Sequence, residues 1–181
     1  MKIVETEFQD LFVLEPARFE DERGFFMESY NLSTMKKNGI ELNFVQDNQS
    51  FSKKGVLRGL HFQKNPFAQT KLVRVLSGKI LDVVVDLRAN LPTFKKTFAI
   101  ELSSANNKQL LIPKGFAHAF VALSDTSVLY KCDEYYQKSA EGGIRFDDPE
   151  LSIDWILPKE SLIVSDKDKE LPFFSNLNYT F

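Results

Sequence analysis

Apolar and polar residues alternate in short runs along most of this chain, and the runs recur at regular spacing. Residues 3–14 alternate weakly and predict an edge strand, and Phe19–Tyr30 predicts a turn around Asp21–Gly24 that leads into a strand. Many short strands with little helix favour an antiparallel β-barrel or jelly roll. We therefore expect residues 1–181 to form one mainly β domain, with a ligand site at the mouth of the barrel.

One segment departs from this pattern, because the spacing over Leu32–Asn38 favours a short helix. Ser33 is the expected N-cap, since a serine side chain can accept a hydrogen bond from a free backbone N–H at the start of a helix. Gly39 is expected to end the helix in the left-handed conformation.

The strand-like run Val56–Gln63, VLRGLHFQ, carries the most distinctive chemistry. His61 can transfer protons near neutral pH, and Arg58 is suited to holding phosphate or carboxylate, but strict alternation would put them on opposite faces. Because a strand glycine often marks a bulge that redirects side chains, we predict a break in regular pairing near Gly59. Such a break would form a site that binds an anion and moves a proton. The alternative is a plain strand with a buried histidine and a surface arginine.

The runs Lys71–Ser77 and Lys79–Arg88 are separated by a Ser-Gly pair and predict a β-hairpin with a two-residue loop. That register would put Lys71 on one face with Asp82 and Asp86, close enough for the side chains to meet. Ion pairing on a wet face explains this arrangement and contributes little stability. A lysine held in a pocket wall by carboxylates explains it too, and the pattern leaves both interpretations open.

A polar strand is predicted over Phe44–Ser52, where Gln46, Asn48 and Ser50 fall on one face. These three side chains fit a solvated strand face, and they also fit the polar wall of a pocket.

Two later runs each contain one residue that has two possible roles. Leu110–Leu123 predicts a strand, a Pro-Lys-Gly turn and a strand, and its His118 lies between two phenylalanines as a core residue or as a ligand-binding one. Val128–Tyr136 predicts a strand whose Tyr130 either packs or points into a cavity as a phenol acid.

The composition and charge of the chain argue against several classes of function. The net charge is −2 and there is no basic stripe, so nucleic-acid binding is not expected. No apolar run approaches the roughly 20 residues that span a bilayer, and the acidic start MKIVETEFQD does not suit a signal peptide, so neither a membrane nor an exported location is expected. Cys132 is the only cysteine, which rules out an internal disulfide and fits the cytoplasm. The 17 phenylalanines favour β structure.

Several separated motifs resemble the dTDP-4-dehydrorhamnose 3,5-epimerases, a cupin-type jelly-roll family of sugar-nucleotide biosynthesis. They are FEDERGFFMESY, FVQDNQSFS, GVLRGLHFQ, QTKLVRVLSGKILDVVVDLR, IPKGFAHAF, LYKCDEYY and SDKDKELP, in family order from about residue 19 to 172. Their order and spacing together are specific, although no single motif is. The resemblance implies conversion of dTDP-4-dehydro-6-deoxy-D-glucose to dTDP-4-dehydro-L-rhamnose by inversion at C3 and C5.

The resemblance also implies a role for each matching residue. His61 matches the general base, Asp168 the carboxylate that orients it, Lys71 the group beside the C4 oxygen and Tyr130 the acid on the opposite face of the sugar. Without the resemblance, the stretch Ser165–Asp168 would pass as a solvated turn. Substrate-binding positions are matched by Arg23, Phe26, Glu28, Gln46, Asn48, Arg58, His118, Tyr136, Glu141 and Lys167.

The family resemblance further implies a homodimer that exchanges N-terminal strands. Arg23 and Phe26 are therefore expected to reach the site of a partner chain, and Arg23 and Arg58 to lie near the diphosphate. The expected partner molecules are a dTDP-linked 4-keto-6-deoxy sugar and a second copy of the chain.

The residue types suit this chemistry. Protons on C3 and C5 flank the C4 ketone, so a base of near-neutral pKa can remove either one and leave an enolate whose charge a lysine can stabilise. No hydride moves, so neither a cofactor nor a metal is expected; the chain lacks GxGxxG and His-x-His, and two histidines with one cysteine supply a metal site poorly. The nearest alternative is a single-centre (C3 or C5) epimerase or a 3,4-ketoisomerase. A metal-dependent cupin oxygenase and a non-catalytic sugar-nucleotide binder are alternatives of other classes.

Overall fold

Two antiparallel sheets face each other in the structure, a computed structural model that describes residues 1–181. The front sheet has the strand order β1-β2-β10-β7-β12-β5, and the back sheet has the order β13-β6-β11-β8-β9 with β14 added parallel to β6. The strands are β1 (Lys2–Glu5), β2 (Phe12–Glu15), β3 (Arg18–Asp21), β4 (Gly24–Met27), β5 (Gln46–Ser52), β6 (Val56–Gln63), β7 (Lys71–Ser77), β8 (Lys79–Asp86), β9 (Thr97–Ser103), β10 (Gln109–Ile112), β11 (Phe116–Ala122), β12 (Thr126–Cys132), β13 (Glu141–Gly143) and β14 (Ile163–Val164), and the helices are α1 (Leu32–Lys37) and α2 (Asp166–Lys169).

This architecture confirms the predicted mainly β jelly roll. Strands β3 and β4 form a separate hairpin that joins neither sheet, and short 3₁₀ turns occur at Lys138–Ala140, Lys159–Ser161 and Phe174–Asn176. Neither helix has the length and apolar character that crossing a membrane requires.

The buried apolar side chains form one cluster between the sheets and one on the outer face of each sheet. Val73 and Val75 of the front sheet meet Ile80 and Val84 of the back sheet in the inner cluster. The irregular segment that follows β13 covers the back sheet, where Trp155 is almost fully buried.

The predicted pairing of β7 with β8 is wrong. Strand β7 pairs with β10 and β12 in the front sheet, whereas β8 pairs with β11 and β9 in the back sheet. The Ser-Gly turn between them therefore carries the chain from one sheet to the other. The predicted alternation was nevertheless correct, so Lys71 and Asp82 both point toward the interior, from opposite sheets.

Three local predictions also need correction. Residues 3–14 do not form one strand, because a turn separates β1 from β2 and the two strands pair. The N-cap of α1 is Asn31 rather than Ser33: its backbone is extended and its side chain accepts a hydrogen bond from the Thr34 N–H. Strand β12 ends at Cys132, four residues before the end of the predicted strand.

The predicted break in β6 is confirmed. His61 pairs with His118 and Arg58 pairs with Phe120, so the register between β6 and β11 shifts by one residue. Gly59 has φ +124°, a conformation that side-chain-bearing residues rarely adopt. The bulge turns Arg58 and His61 toward the same cavity, which strict alternation would not allow.

Candidate active site

A cavity of about 630 Å³ lies between the two sheets. A smaller recess of about 150 Å³ shares Asn48, His61, Lys71 and Tyr130 with it and extends it toward Tyr136. The back sheet contributes Arg58, His61 and His118 to the wall, the front sheet contributes Asn48, Lys71 and Tyr130, and the C-terminal segment contributes Lys167 and Asp168. Most of the residues predicted as a site therefore lie around one space.

His61 and Asp168 form a close pair on the back-sheet side of the cavity. The His61 Nε2 lies 2.7 Å from Asp168 Oδ1, and the two side chains are 32% and 5% exposed. Burial alone would raise the pKa of the Asp168 carboxyl, but hydrogen bonds from His61, the Gly59 N–H and Ser165 hold it below its ordinary value. The carboxylate thus stays ionised and fixes the Nε2 atom as the protonated one, which leaves Nδ1 free to accept a proton.

Local structure at the C-terminal end explains how Asp168 reaches this position. Strand β14 runs parallel to β6 and pairs Val164 with Leu57, so it delivers the following residues to the cavity. Ser165 caps α2 by accepting a hydrogen bond from the Asp168 N–H at 3.1 Å. The stretch that would pass as a solvated turn is therefore a cap that orients a buried carboxylate.

Tyr130 and Lys71, on the front sheet, face the pair of His61 and Asp168. The Lys71 Nζ lies 5.9 Å from the centre of the Tyr130 ring. Burial, together with the nearby Cys132, raises the pKa of the Tyr130 phenol, although Arg58 acts in the opposite direction. The phenol is therefore protonated at neutral pH and can act as a proton donor.

Lys71 is the cation of the cavity interior. Burial lowers the pKa of its ammonium, while the negative charges of Cys132 when ionised, Asp82 and Glu141 act against that shift. It forms neither an ion pair nor a side-chain hydrogen bond with the protein, so its N–H groups are available to a ligand. Lys71 therefore lies in a pocket wall rather than in a wet ion pair, but no carboxylate contacts it, so the part of the prediction in which carboxylates hold it is wrong.

His118 is largely buried and hydrogen-bonded, as a core residue would be, and it also lines the cavity, so the structure is compatible with both interpretations of it. Its Nε2 lies 2.6 Å from Asp82 Oδ1, and the two side chains are 10% and 0% exposed. Asp82 is a residue whose partner the sequence did not reveal, because the wrong pairing of β7 with β8 assigned it to Lys71 alone.

Polar side chains continue toward the cavity mouth. Arg58 is exposed and donates hydrogen bonds to Ser52 Oγ at 3.0 Å and to the Phe51 carbonyl at 3.2 Å. Gln46 donates to Asn48 Oδ1 at 3.0 Å, which confirms that these residues share a pocket-facing side of β5.

A chain of polar contacts joins three predicted residues at the rim of the recess. The Tyr136 hydroxyl donates to Glu141 Oε2 at 3.2 Å, and the Lys167 Nζ lies 2.6 Å from Glu141 Oε1. Burial would raise the pKa of the Glu141 carboxyl, but the contacts with Lys167 and Tyr136 outweigh it and lower that pKa. Residues from β13 and α2 thus come together at the rim.

Three predicted binding residues do not reach the cavity of their own chain. Arg23 is on the turn of the β3–β4 hairpin, where its 84% exposed side chain pairs with Asp21, and Phe26 is 71% exposed. Glu28 accepts a hydrogen bond from Asn31. None of the three lines the space around His61.

Known proteins match this chain over nearly all of its length. A family model described as dTDP-4-dehydrorhamnose 3,5-epimerase matches residues 5–176. The chain belongs to this family. No group of three or more His, Cys, Asp or Glu side chains in the epimerase-family chain is arranged to hold a metal ion.

Three solved structures place this epimerase-family chain among close relatives. A dTDP-4-dehydrorhamnose 3,5-epimerase from Elizabethkingia anophelis is 50% identical, with a TM-score of 0.93 and 99% of each chain covered. One from Bacillus anthracis, with TDP and PPi bound, is 51% identical with a TM-score of 0.92, covering 95% of this chain and 98% of that one. A dTDP-6-deoxy-D-glucose-3,5-epimerase from Legionella pneumophila, in complex with dTDP-4-keto-L-rhamnose, is 43% identical with a TM-score of 0.93, covering 98% and 94%.

Proposed function

We propose that this protein inverts C3 and C5 of dTDP-4-dehydro-6-deoxy-D-glucose and releases dTDP-4-dehydro-L-rhamnose, without a cofactor. One observation carries the proposal. An imidazole backed by a buried carboxylate occupies the back-sheet wall of the cavity, and a protonated phenol beside a lysine occupies the front-sheet wall. A sugar ring between the two walls would have a base on one face and an acid on the other.

His61 removes the proton from C3 or C5 through its free ring nitrogen, and Asp168 stabilises the imidazolium that results. The electron pair of the broken C–H bond moves into the C4 carbonyl, where the Lys71 ammonium stabilises the developing oxygen charge. Tyr130 returns a proton to the same carbon from the opposite face, which inverts its configuration. Before the second carbon reacts, the His61 imidazolium releases its proton to solvent and the Tyr130 phenolate takes one up. Each inversion thus restores both groups and involves no net change in oxidation state.

The remaining residues bind the substrate in this proposal. Arg58 at the mouth holds the diphosphate, since a guanidinium suits phosphate oxygens. The relatives from Bacillus anthracis and Legionella pneumophila, which hold TDP with PPi and dTDP-4-keto-L-rhamnose, support a nucleotide-linked sugar as the ligand. We assign the contacts with the sugar, the diphosphate and the base to Gln46, Asn48, His118, Tyr136, Glu141 and Lys167.

The proposed working unit is a cytoplasmic homodimer in which the β3–β4 hairpin of each single-domain chain completes the cavity of the other. The hairpin joins neither sheet of its own chain, and Phe19, Phe25 and Phe26 on it are more than half exposed. Exposed aromatic side chains of this kind favour an interface. Arg23, Phe26 and Glu28 would then reach a substrate bound by the partner. The buried free thiol of Cys132 fits the reducing cytoplasm.

The decisive experiment is incubation with dTDP-4-keto-6-deoxyglucose in heavy water, with C3 and C5 observed by NMR. We expect solvent deuterium at both carbons with inversion. The His61→Ala variant should abolish wash-in at both, whereas Tyr130→Phe should impair inversion, most of all at C5, and keep nucleotide binding.

The outcomes separate the competing functions. Exchange at one carbon only would indicate a single-centre epimerase, and binding with no exchange in the wild type would indicate a sugar-nucleotide binder. Wild-type wash-in from the His61→Ala protein would refute the assignment of the base.

A further inference from the structure

The only two histidines of the chain are directly opposite each other on neighbouring strands. His118 of β11 pairs with His61 of β6, and each ring bonds through Nε2 to a different buried aspartate. The proposed reaction uses the pair of His61 with Asp168 as its base. It leaves unexplained why the same cavity contains a second imidazole–carboxylate pair whose aspartate, Asp82, is completely buried.

The second carboxylate oxygen of Asp82 is the unusual feature. Asp82 Oδ1 accepts from His118, whereas Oδ2 is buried and has no hydrogen-bond partner. A buried charged oxygen without a partner is unfavourable unless another charge compensates for it. The Lys71 ammonium on the opposite sheet forms no ion pair, and Asp82, like Glu141, acts on it electrostatically without direct contact.

We propose that Asp82 is a positioning residue, which holds His118 in one ring orientation and places a counter-charge across the cavity from Lys71. The inference deepens the proposed function and rests on it for the identity of the substrate.

The first part of this role follows from the hydrogen bond. A carboxylate accepts only, so His118 Nε2 carries a proton, and in the neutral ring Nδ1 is then the acceptor. Nδ1 has no hydrogen-bond partner in the protein. A ring fixed in this tautomer offers an acceptor to a sugar hydroxyl, which is a binding contact rather than a proton transfer.

The second part concerns the charge of Lys71. The groups that surround it are Asp82 on β8, Glu141 on β13, Cys132 and Tyr130 on β12, His61 on β6 and His118 on β11. Among these, Asp82 is a carboxylate whose second oxygen is free of hydrogen bonds, whereas Glu141 is already paired with Lys167. Asp82 therefore favours the ammonium form that the enolate oxygen requires, against the desolvation that opposes it.

The test separates charge from orientation with two variants. Asp82→Asn keeps an acceptor for His118 and removes the charge, whereas Asp82→Ala removes both. Asp154→Asn, a carboxylate-to-amide change at an exposed position outside the cavity, is the matched control. The titration of Lys71 is measured by competitive acylation over a pH series with mass-spectrometric detection, and kcat and KM are measured over the same range.

We expect Asp82→Asn to lower the pH at which Lys71 titrates by about one unit, and to move the alkaline limb of kcat by the same amount. Asp82→Ala should add a several-fold increase in KM, and Asp154→Asn should change neither quantity. A folded Asp82→Asn protein with an unchanged Lys71 titration would overturn the proposal. Because acylation requires no substrate, this result is independent of whether the proposed reaction is correct.

A measurement on the wild type keeps the inference testable if the variants do not fold. With only two histidines, their ring ¹⁵N resonances can be resolved. The proposal requires neutral His118 to carry its proton on Nε2, and a spectrum with the proton on Nδ1 would refute it.

Discussion

Hydrogen bonds keep the Asp168 carboxylate ionised at a buried position where desolvation acts the other way. Its folded-state pKa is below the ordinary value of 3.8, because the contacts with His61, Gly59 and Ser165 together outweigh burial. A lowered carboxyl pKa contributes stability that is fully present above the unfolded pKa and is lost as the pH falls through the folded pKa. The same contacts therefore support both the proposed chemistry and the fold.

The variant Asp168→Asn tests both consequences. We expect kcat to fall roughly a hundredfold or more, with a smaller change in KM, because an amide cannot stabilise an imidazolium. The free energy of unfolding should be lower than in the wild type near pH 7, and the difference should narrow as the pH drops below about 4, since protonation removes the wild-type advantage. Urea titrations at several pH values measure this. A difference that stays constant down to about pH 2 would show that ionisation of Asp168 is not its source.

Residue types could be read from the sequence, but several of their partners could not. From the residues alone, His61, Lys71 and Tyr130 each had two possible interpretations; the family resemblance assigned them to one site, and they lie around one cavity. The carboxylate of His61 was expected only through the family resemblance, since Asp168 follows it by 107 positions and local patterns do not report such distances. The partner of His118 was missed for the same reason.

At the scale of the element, the bulge in β6 decides which side chains can act together. The register between β6 and β11 shifts around Gly59, so Arg58 and His61 come to face one space. A Cβ atom at this position would lie 2.6 Å from the His118 carbonyl oxygen, with the Ala119 side chain closer still. Glycine is therefore required at position 59 by both its backbone angle and the close approach of β11.

We expect Gly59→Ala to destabilise the protein by roughly 1–3 kcal/mol or more and to reduce kcat/KM strongly, since relieving the clash must shift β6 against β11. Gly39→Ala is the matched control, because Gly39 also has positive φ (+78°) but a Cβ there would meet nothing within 4 Å. The control should lose about 1 kcal/mol or less and keep its activity. Equal losses of activity in the two folded variants would argue against the bulge as the cause.

The periodicity of the sequence correctly predicted which side chains share a strand face, but it did not predict which strands pair. The break at Gly59 was predicted because alternation conflicted with the chemistry of two residues, and such conflicts are visible in the sequence. The hairpin of β7 with β8 was wrong because the same Ser-Gly signal suits a turn between two sheets. Which of the two occurs depends on contacts with β10, β11 and β12, which are distant in sequence.

At the scale of the whole molecule, the β3–β4 hairpin is the part of the chain without a partner in its own fold. Arg23 is 84% exposed at its tip, although the family resemblance assigns it to the diphosphate. The proposed exchange between two chains accounts for both facts and makes each cavity a shared structure.

Subunit mixing tests the exchange. A heterodimer of His61→Ala and Arg23→Ala chains, purified through two different tags, should contain one intact cavity and regain about half of the wild-type activity. A heterodimer of His61→Ala with Asp168→Ala should stay inactive, because those two residues belong to the cavity of one chain. Recovery in neither pair would show that each chain completes its own cavity.

The pairing of β14 with β6 has a consequence for biosynthesis. Every strand of both sheets apart from β14 lies before residue 144, whereas Asp168 follows β14. The strands that form the walls around His61 are therefore synthesised before Asp168 is. In the proposed mechanism, His61 gains its carboxylate only after the last segment of the chain has been synthesised and has docked along β6.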